Sequence, residues 1–145
     1  IYRKGETHVQ ITSKQAMREW SERFAHTLSS GDVVSLEGTL GAGKTQVVQW
    51  IAQALDANRL ASSPTFSLVN HYQTPNLDLY HLDLYRLEEP KELEDIDYET
   101  YFYPEGAITF LEWAEKADGY LPHGMVHVRI TVNEGEAREV SVWRD

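Results

Sequence analysis

The chain contains no cysteine, which excludes disulfides and thiolate metal sites and fits a reducing compartment. It is poor in positive charge: 13 Lys and Arg stand against 23 Asp and Glu, for a formal net charge of −10. No basic run appears, and an acidic surface repels a phosphate backbone, so no direct nucleic-acid binding is expected of the protein alone. The plain reading of the same charge is that it keeps the chain in solution. No apolar run approaches the length of a membrane span, and the stretch "IYRKGETHVQ" lacks the apolar core of a signal peptide. The expected location is the cytoplasm, with no membrane partner. Repeats, low-complexity blocks and Gly/Ser-rich linkers are also missing. The 145 residues therefore read as a single domain spanning 1–145, of a size that buries roughly 68–70% of its unfolded surface. A second catalytic domain has no room, so a broad substrate pocket would be shared with a partner.

What is present alternates between two periodicities. "TSKQAMREWSERFAHTLSSGD" reads as a helix, with Thr12 and Gln15 at capping-box spacing and Met17, Trp20, Phe24 and Leu28 on one face. Gly31 is its expected stop. "DVVSLEG" is a short apolar strand, and "TQVVQWIAQAL" a helix with Val47, Ile51 and Leu55 spaced by four. "FSLVNHY" and "LDLYHLDLY" read as strands around the turn Thr74-Pro75-Asn76. "PKELEDIDYETYF" is an acidic helical patch opened by Pro90, and "GAITFLEW" is a buried strand. "MVHVRITV" and "AREVSVW" form a closing hairpin, in which Val126, Val128, Ile130 and Val132 alternate. Together these elements predict a P-loop NTPase-like α/β three-layer sandwich with a mixed parallel/antiparallel sheet.

Between the first apolar strand and its helix lies "EGTLGAGKT". From Gly38 it matches G-x-x-x-x-G-K-[ST], in the strand–loop–helix setting that makes this pattern a phosphate-binding loop. The glycines let backbone N–H groups approach phosphates at the positive end of a helix. Lys44 places a cation beside the β- and γ-phosphates, and the Thr45 hydroxyl is a natural magnesium ligand. Such a site also needs carboxylates to hold the metal and orient the nucleophile. Glu112 ends the strand "AITFLE", where a parallel neighbour of the loop strand would deliver it to the γ-phosphate; otherwise it is a surface acid at a strand end. Asp83, set among apolar residues in "YHLDLYR", is the other candidate, with pairing to Arg86 as its structural alternative. In "SSPTF", Thr65 precedes a strand as a nucleotide-sensing threonine would; alone, the stretch reads as a turn. Trp113 reads as core or rim packing rather than as a base-stacking platform. The six histidines are scattered and give no zinc-site spacing.

"GTLGAGKT", "SSPTFSLV", "LYHLDLYRL" and "FLEWAEK" followed by "YLP" occur in an order that resembles the TsaE (YjeE) family, over about Val33 to Pro122. The resemblance implies an ATPase that acts with TsaB and TsaD in threonylcarbamoyladenosine modification of tRNA, with ATP (or ADP) and Mg2+ as cofactors. It implies nucleotide contacts along Gly38 to Thr45, which include Leu40, Gly41, Ala42 and Gly43, and extends them to Gln46, Thr65 and Trp113. Lys44, Asp83 and Glu112 are then the catalytic candidates, and Thr45, Asp83 and Glu112 the metal candidates. Which carboxylate holds magnesium and which orients water stays open. The chain departs from the family pattern at Thr39, Gln46 and Trp50. Arg86 is the one candidate for an arginine acting on the phosphates, so hydrolysis is expected to be slow without the partners. The competing readings are a small-molecule kinase and an adaptor that binds nucleotide without hydrolysing it.

Overall fold

The computed structural model describes residues 5–39, 41–57, 59–60, 69–135 and 137–145. Its elements run in the order β1 (Thr7–Ile11), α1 (Lys14–Ala25), β2 (Val33–Glu37), α2 (Lys44–Ala54), β3 (Arg59–Leu60), β4 (Val69–Gln73), β5 (Asp78–Asp83), α3 (Tyr98–Phe102), β6 (Ala107–Glu112), β7 (Val126–Val132) and β8 (Arg138–Arg144). Short 3-10 turns cover Pro90–Ile96 and Ala114–Ala117.

One mixed eight-stranded sheet has the order β1-β8-β7-β2-β6-β5-β4-β3. Its centre, β7-β2-β6-β5, is parallel, and antiparallel strands extend both sides. The parallel strands are apolar because both of their faces are covered. On one face Val34, Leu36, Ile108, Phe110 and Val128 pack against Met17, Trp20, Phe24, Val47 and Ile51 of α1 and α2. On the other, Val33, Leu82 and Leu111 pack beneath Leu93, Ile96 and Phe102. Helical layers on two faces of a mixed sheet give the α/β sandwich expected of the sequence.

Several local readings change. The first helix is capped by Ser13, whose side chain accepts from the Ala16 amide, and not by Thr12. It ends at Ala25, and Gly31 serves a different purpose, turning with φ 97° so that its amide bonds to the Ala107 carbonyl. The acidic stretch after Pro90 is two short pieces, broken where Asp97 adopts φ 58°. The hairpin alternation stops short at Val132, which is exposed. β1 and β3 are additional strands.

Candidate functional site

β2 is flanked by two parallel neighbours, β6 and β7, so the turn after it emerges above the carboxyl ends of three adjacent strands, where open α/β sheets bind ligands. Gly38 begins that turn with its backbone against β7. A Cβ there would lie 2.7 Å from the Ile130 carbonyl oxygen, a distance that real side chains do not reach. Gly43 is the N-cap of α2, with φ 103° and no side-chain capping bond. A helix start without a side-chain cap leaves its first amides available to an anion.

Lys44 is only 6% exposed. Its Nζ donates to the Gly38 carbonyl at 2.9 Å and lies 4.6 Å from the centre of the Trp113 ring. A carbonyl and an aromatic face together offset the burial of the cation. Trp113 holds φ 60°, unusual for so large a residue, and its ring meets that of the exposed Tyr85 at 5.1 Å.

Glu112 ends β6 beside Leu36 of β2 and Asp83 of β5. Its Oε2 accepts from the Thr45 hydroxyl at 3.1 Å and lies 2.6 Å from His81 Nε2. Burial pushes the carboxyl upward, but the His81 and Thr45 bonds with the Lys44 charge outweigh it and hold the group below the ordinary carboxylate range. An ionised carboxylate only accepts, so His81 Nε2 carries the hydrogen of the shared bond. Loop, strand end and helix start thus converge on one carboxylate.

Asp83 departs from its expected surroundings. It is exposed, because β5 ends there and the side chain swings out to accept from the Tyr85 amide at 3.0 Å. Among the described residues it makes no ion pair with Arg86, which is itself exposed. Its backbone still stands beside Glu112, so the two carboxylates occupy neighbouring strand ends. Leu40 and Thr65 lie outside the described residues.

A hydroxyl and a buried carboxylate in contact, with a second carboxylate next door, form an all-oxygen donor set. This fits magnesium, which takes one or two carboxylates and completes its shell with phosphates and water. Among the described residues no three His, Cys, Asp or Glu side chains cluster as a metal site on their own.

Two clefts adjoin the loop. One, of about 440 Å³, is walled by Gly38, Lys44, Trp113, Glu115 and Arg129. The other, of about 250 Å³, lies between Lys14 and Met17 of α1 and Gly43, Gln46, Trp50 and Arg138. Arg138 bonds there to the Ala42, Gly135 and Ala137 carbonyls. Sequence reading passed over His81, Tyr85, Arg129 and Arg138. Only His81 carried a signal, since it lies two residues before Asp83 on a strand and so shares its face.

Comparison with known proteins identifies the family and agrees with the fold. The family model for "Threonylcarbamoyl adenosine biosynthesis protein TsaE" matches residues 11–140. The chain is 36% identical over 141 residues to the tRNA threonylcarbamoyladenosine biosynthesis protein TsaE of Nostoc sp., covering 94% of this chain and 85% of that one. It is 38% identical over 111 residues to TsaE of Bacillus subtilis, covering 77% and 68%. A crystal structure of Bacillus subtilis YdiB superposes with a TM-score of 0.76 at 26% identity, covering 94% of this chain and 84% of that one. No helix among the described residues is long and apolar enough to cross a membrane. With residues 11–140 matched by the family model and 94% of its length covered by a 36% identical relative, the chain belongs to the TsaE family of threonylcarbamoyl adenosine biosynthesis proteins.

Proposed function

We propose that this protein binds ATP with magnesium and hydrolyses it in support of the TsaB–TsaD pair during threonylcarbamoyladenosine modification of tRNA. The observation that carries the reading is the contact between Thr45 and Glu112 at the start of α2, beside the buried Lys44. The loop amides and Lys44 take the phosphates, Lys44 exchanging the Gly38 carbonyl for a phosphate oxygen. Thr45 and Glu112 hold the metal, which neutralises charge on the β- and γ-phosphates when bound. Asp83, exposed on the neighbouring strand end, accepts the hydrogen bond that orients the attacking water. The water oxygen bonds to the γ-phosphorus as the bond to the bridging oxygen breaks, yielding ADP and inorganic phosphate. The cleft beside Met17, Trp50 and Arg138 receives the nucleoside end, with apolar walls and two cations, Lys14 and Arg138.

Arg86 is exposed and Arg129 is bonded to Glu37 at 3.2 Å, so neither is committed to the loop. Turnover by the isolated chain is therefore slow, and TsaB–TsaD accelerates it. The test is ATP consumption measured with and without that pair, using the intact chain and Lys44→Ala. The reading predicts slow hydrolysis alone, acceleration by the partners, and loss of both in the variant. Equal rates with and without the pair would contradict it, and binding with no hydrolysis in any mixture would favour the adaptor reading.

A further inference from the structure

Among the described residues, His81 is the one buried titratable side chain at the loop whose chemistry the proposed hydrolysis leaves unused. With Glu112 it forms the shortest hydrogen bond of the site, 2.6 Å, and the two side chains are 7% and 6% exposed. The contact is built by strand register. His81 on β5 stands opposite Phe110 of β6 and reaches forward to Glu112, two residues on. Thr45 binds the same oxygen, Oε2, from the other side. Oε1 accepts no hydrogen bond from any described residue. One carboxylate oxygen is therefore doubly anchored and the other is left available.

We propose that His81 is a positioning residue for the metal-holding carboxylate: its Nε2–H fixes Glu112 Oε2, so that Glu112 meets magnesium in a single orientation. The inference rests on the nucleotide reading above. Thr45 would have to share its hydroxyl between the metal, through a lone pair, and Oε2, through its hydrogen, whereas His81 binds Oε2 alone from a separate strand and would keep Glu112 from rotating. Partners that orient a metal ligand commonly contribute tenfold to a hundredfold in metal affinity. A purely structural role, satisfying a buried carboxylate, would predict loss of stability without any change in metal dependence.

The test uses calorimetric titration of the full chain with ATP, once in EDTA and once across a magnesium series. His81→Leu should raise the magnesium concentration needed for half-maximal enhancement of ATP binding by about 10–100-fold, while metal-free ATP binding stays at the wild-type level. His81→Gln, whose amide nitrogen reaches the position of Nε2, should restore a near wild-type magnesium dependence. In a Glu112→Gln background His81→Leu should add no further change. Should His81→Leu not fold, His81→Asn replaces it, with a donor too short to reach Glu112. Unaltered magnesium dependence in the Leu or Asn variant would overturn the proposal, as would a Gln variant no better than Leu. A wild-type chain whose ATP binding ignores magnesium would bring down the nucleotide reading itself, a different result from an intact magnesium effect that is indifferent to residue 81.

Discussion

Two histidine–glutamate pairs on this sheet share one strand geometry and differ in everything around it. His81 stands opposite Phe110 and reaches Glu112 two residues further along β6. His127 stands opposite Ser35 and reaches Glu37 two residues further along β2. The first pair faces α2, with side chains 7% and 6% exposed at 2.6 Å. The second lies on the opposite face of the sheet, 18% and 29% exposed at 2.9 Å. It is embedded in a wider set of contacts. His127 also bonds to Asp145 and lies flat on Trp143, while Arg129 reaches both Glu37 and the Trp143 ring. The comparison teaches that register supplies the contact and burial decides its weight. In a dry site the loss of one partner strands a charge, whereas at a wet surface water replaces the partner.

That contrast predicts unequal costs. His81→Leu leaves Glu112 buried with one donor fewer and should destabilise the fold by about 3 kcal/mol. At this chain length that corresponds to a fall in Tm of roughly 6–12 °C. His127→Leu should cost at most about 1 kcal/mol. Thermal unfolding of both variants checks the ordering, and equal shifts would break the comparison.

Titration sharpens it. Glu37 is held below the ordinary carboxylate range, chiefly by the His127 bond, with help from Arg129 against the effect of burial. His127 is raised above its ordinary value, chiefly by the Glu37 bond, and further by Asp145. The stability contributed by the raised histidine is complete below its unfolded value and disappears as pH rises through the folded one. The stability contributed by the lowered carboxylate is complete above its unfolded value and disappears as pH falls through the folded one. The pair thus stabilises most between the ordinary carboxylate and ordinary histidine values. His127→Leu should lower Tm in that interval and leave it unchanged in mild alkali. A deficit constant across pH would show that packing on Trp143 matters more than charge. The smallest effect is expected of Arg129→Ala, within about 1 kcal/mol because the Arg129–Glu37 bridge is solvent-exposed, with Glu37 titrating at higher pH by NMR.

Much of this arrangement was legible in the sequence because it is local. The glycine loop gathers its glycines and a lysine within eight contiguous positions, and the apolar run before Glu112 announces a buried parallel strand with an acid at its end. The Asp83 surroundings were misread because apolar neighbours along a strand do not tell where the strand stops. It stops at Asp83, and the side chain leaves the core for the Tyr85 amide. The His81–Glu112 contact spans 31 residues, and only the register of β5 against β6 brings the two together. β1 was missed because "THVQI" carries one buried side chain, Ile11, too weak an alternation to signal a strand. The Ser13 cap and the break at Asp97 depend on single backbone angles that neighbouring residue types do not fix.

The central claim is that Thr45 and Glu112 form, with the phosphates of ATP, one metal site at the start of α2. Calorimetry of ATP binding with and without magnesium, on the intact chain and on Glu112→Gln, tests it most directly. The account predicts that magnesium tightens binding to the intact chain, and that Glu112→Gln abolishes this gain while retaining metal-free ATP binding through the loop. An undiminished magnesium effect in Glu112→Gln would contradict it.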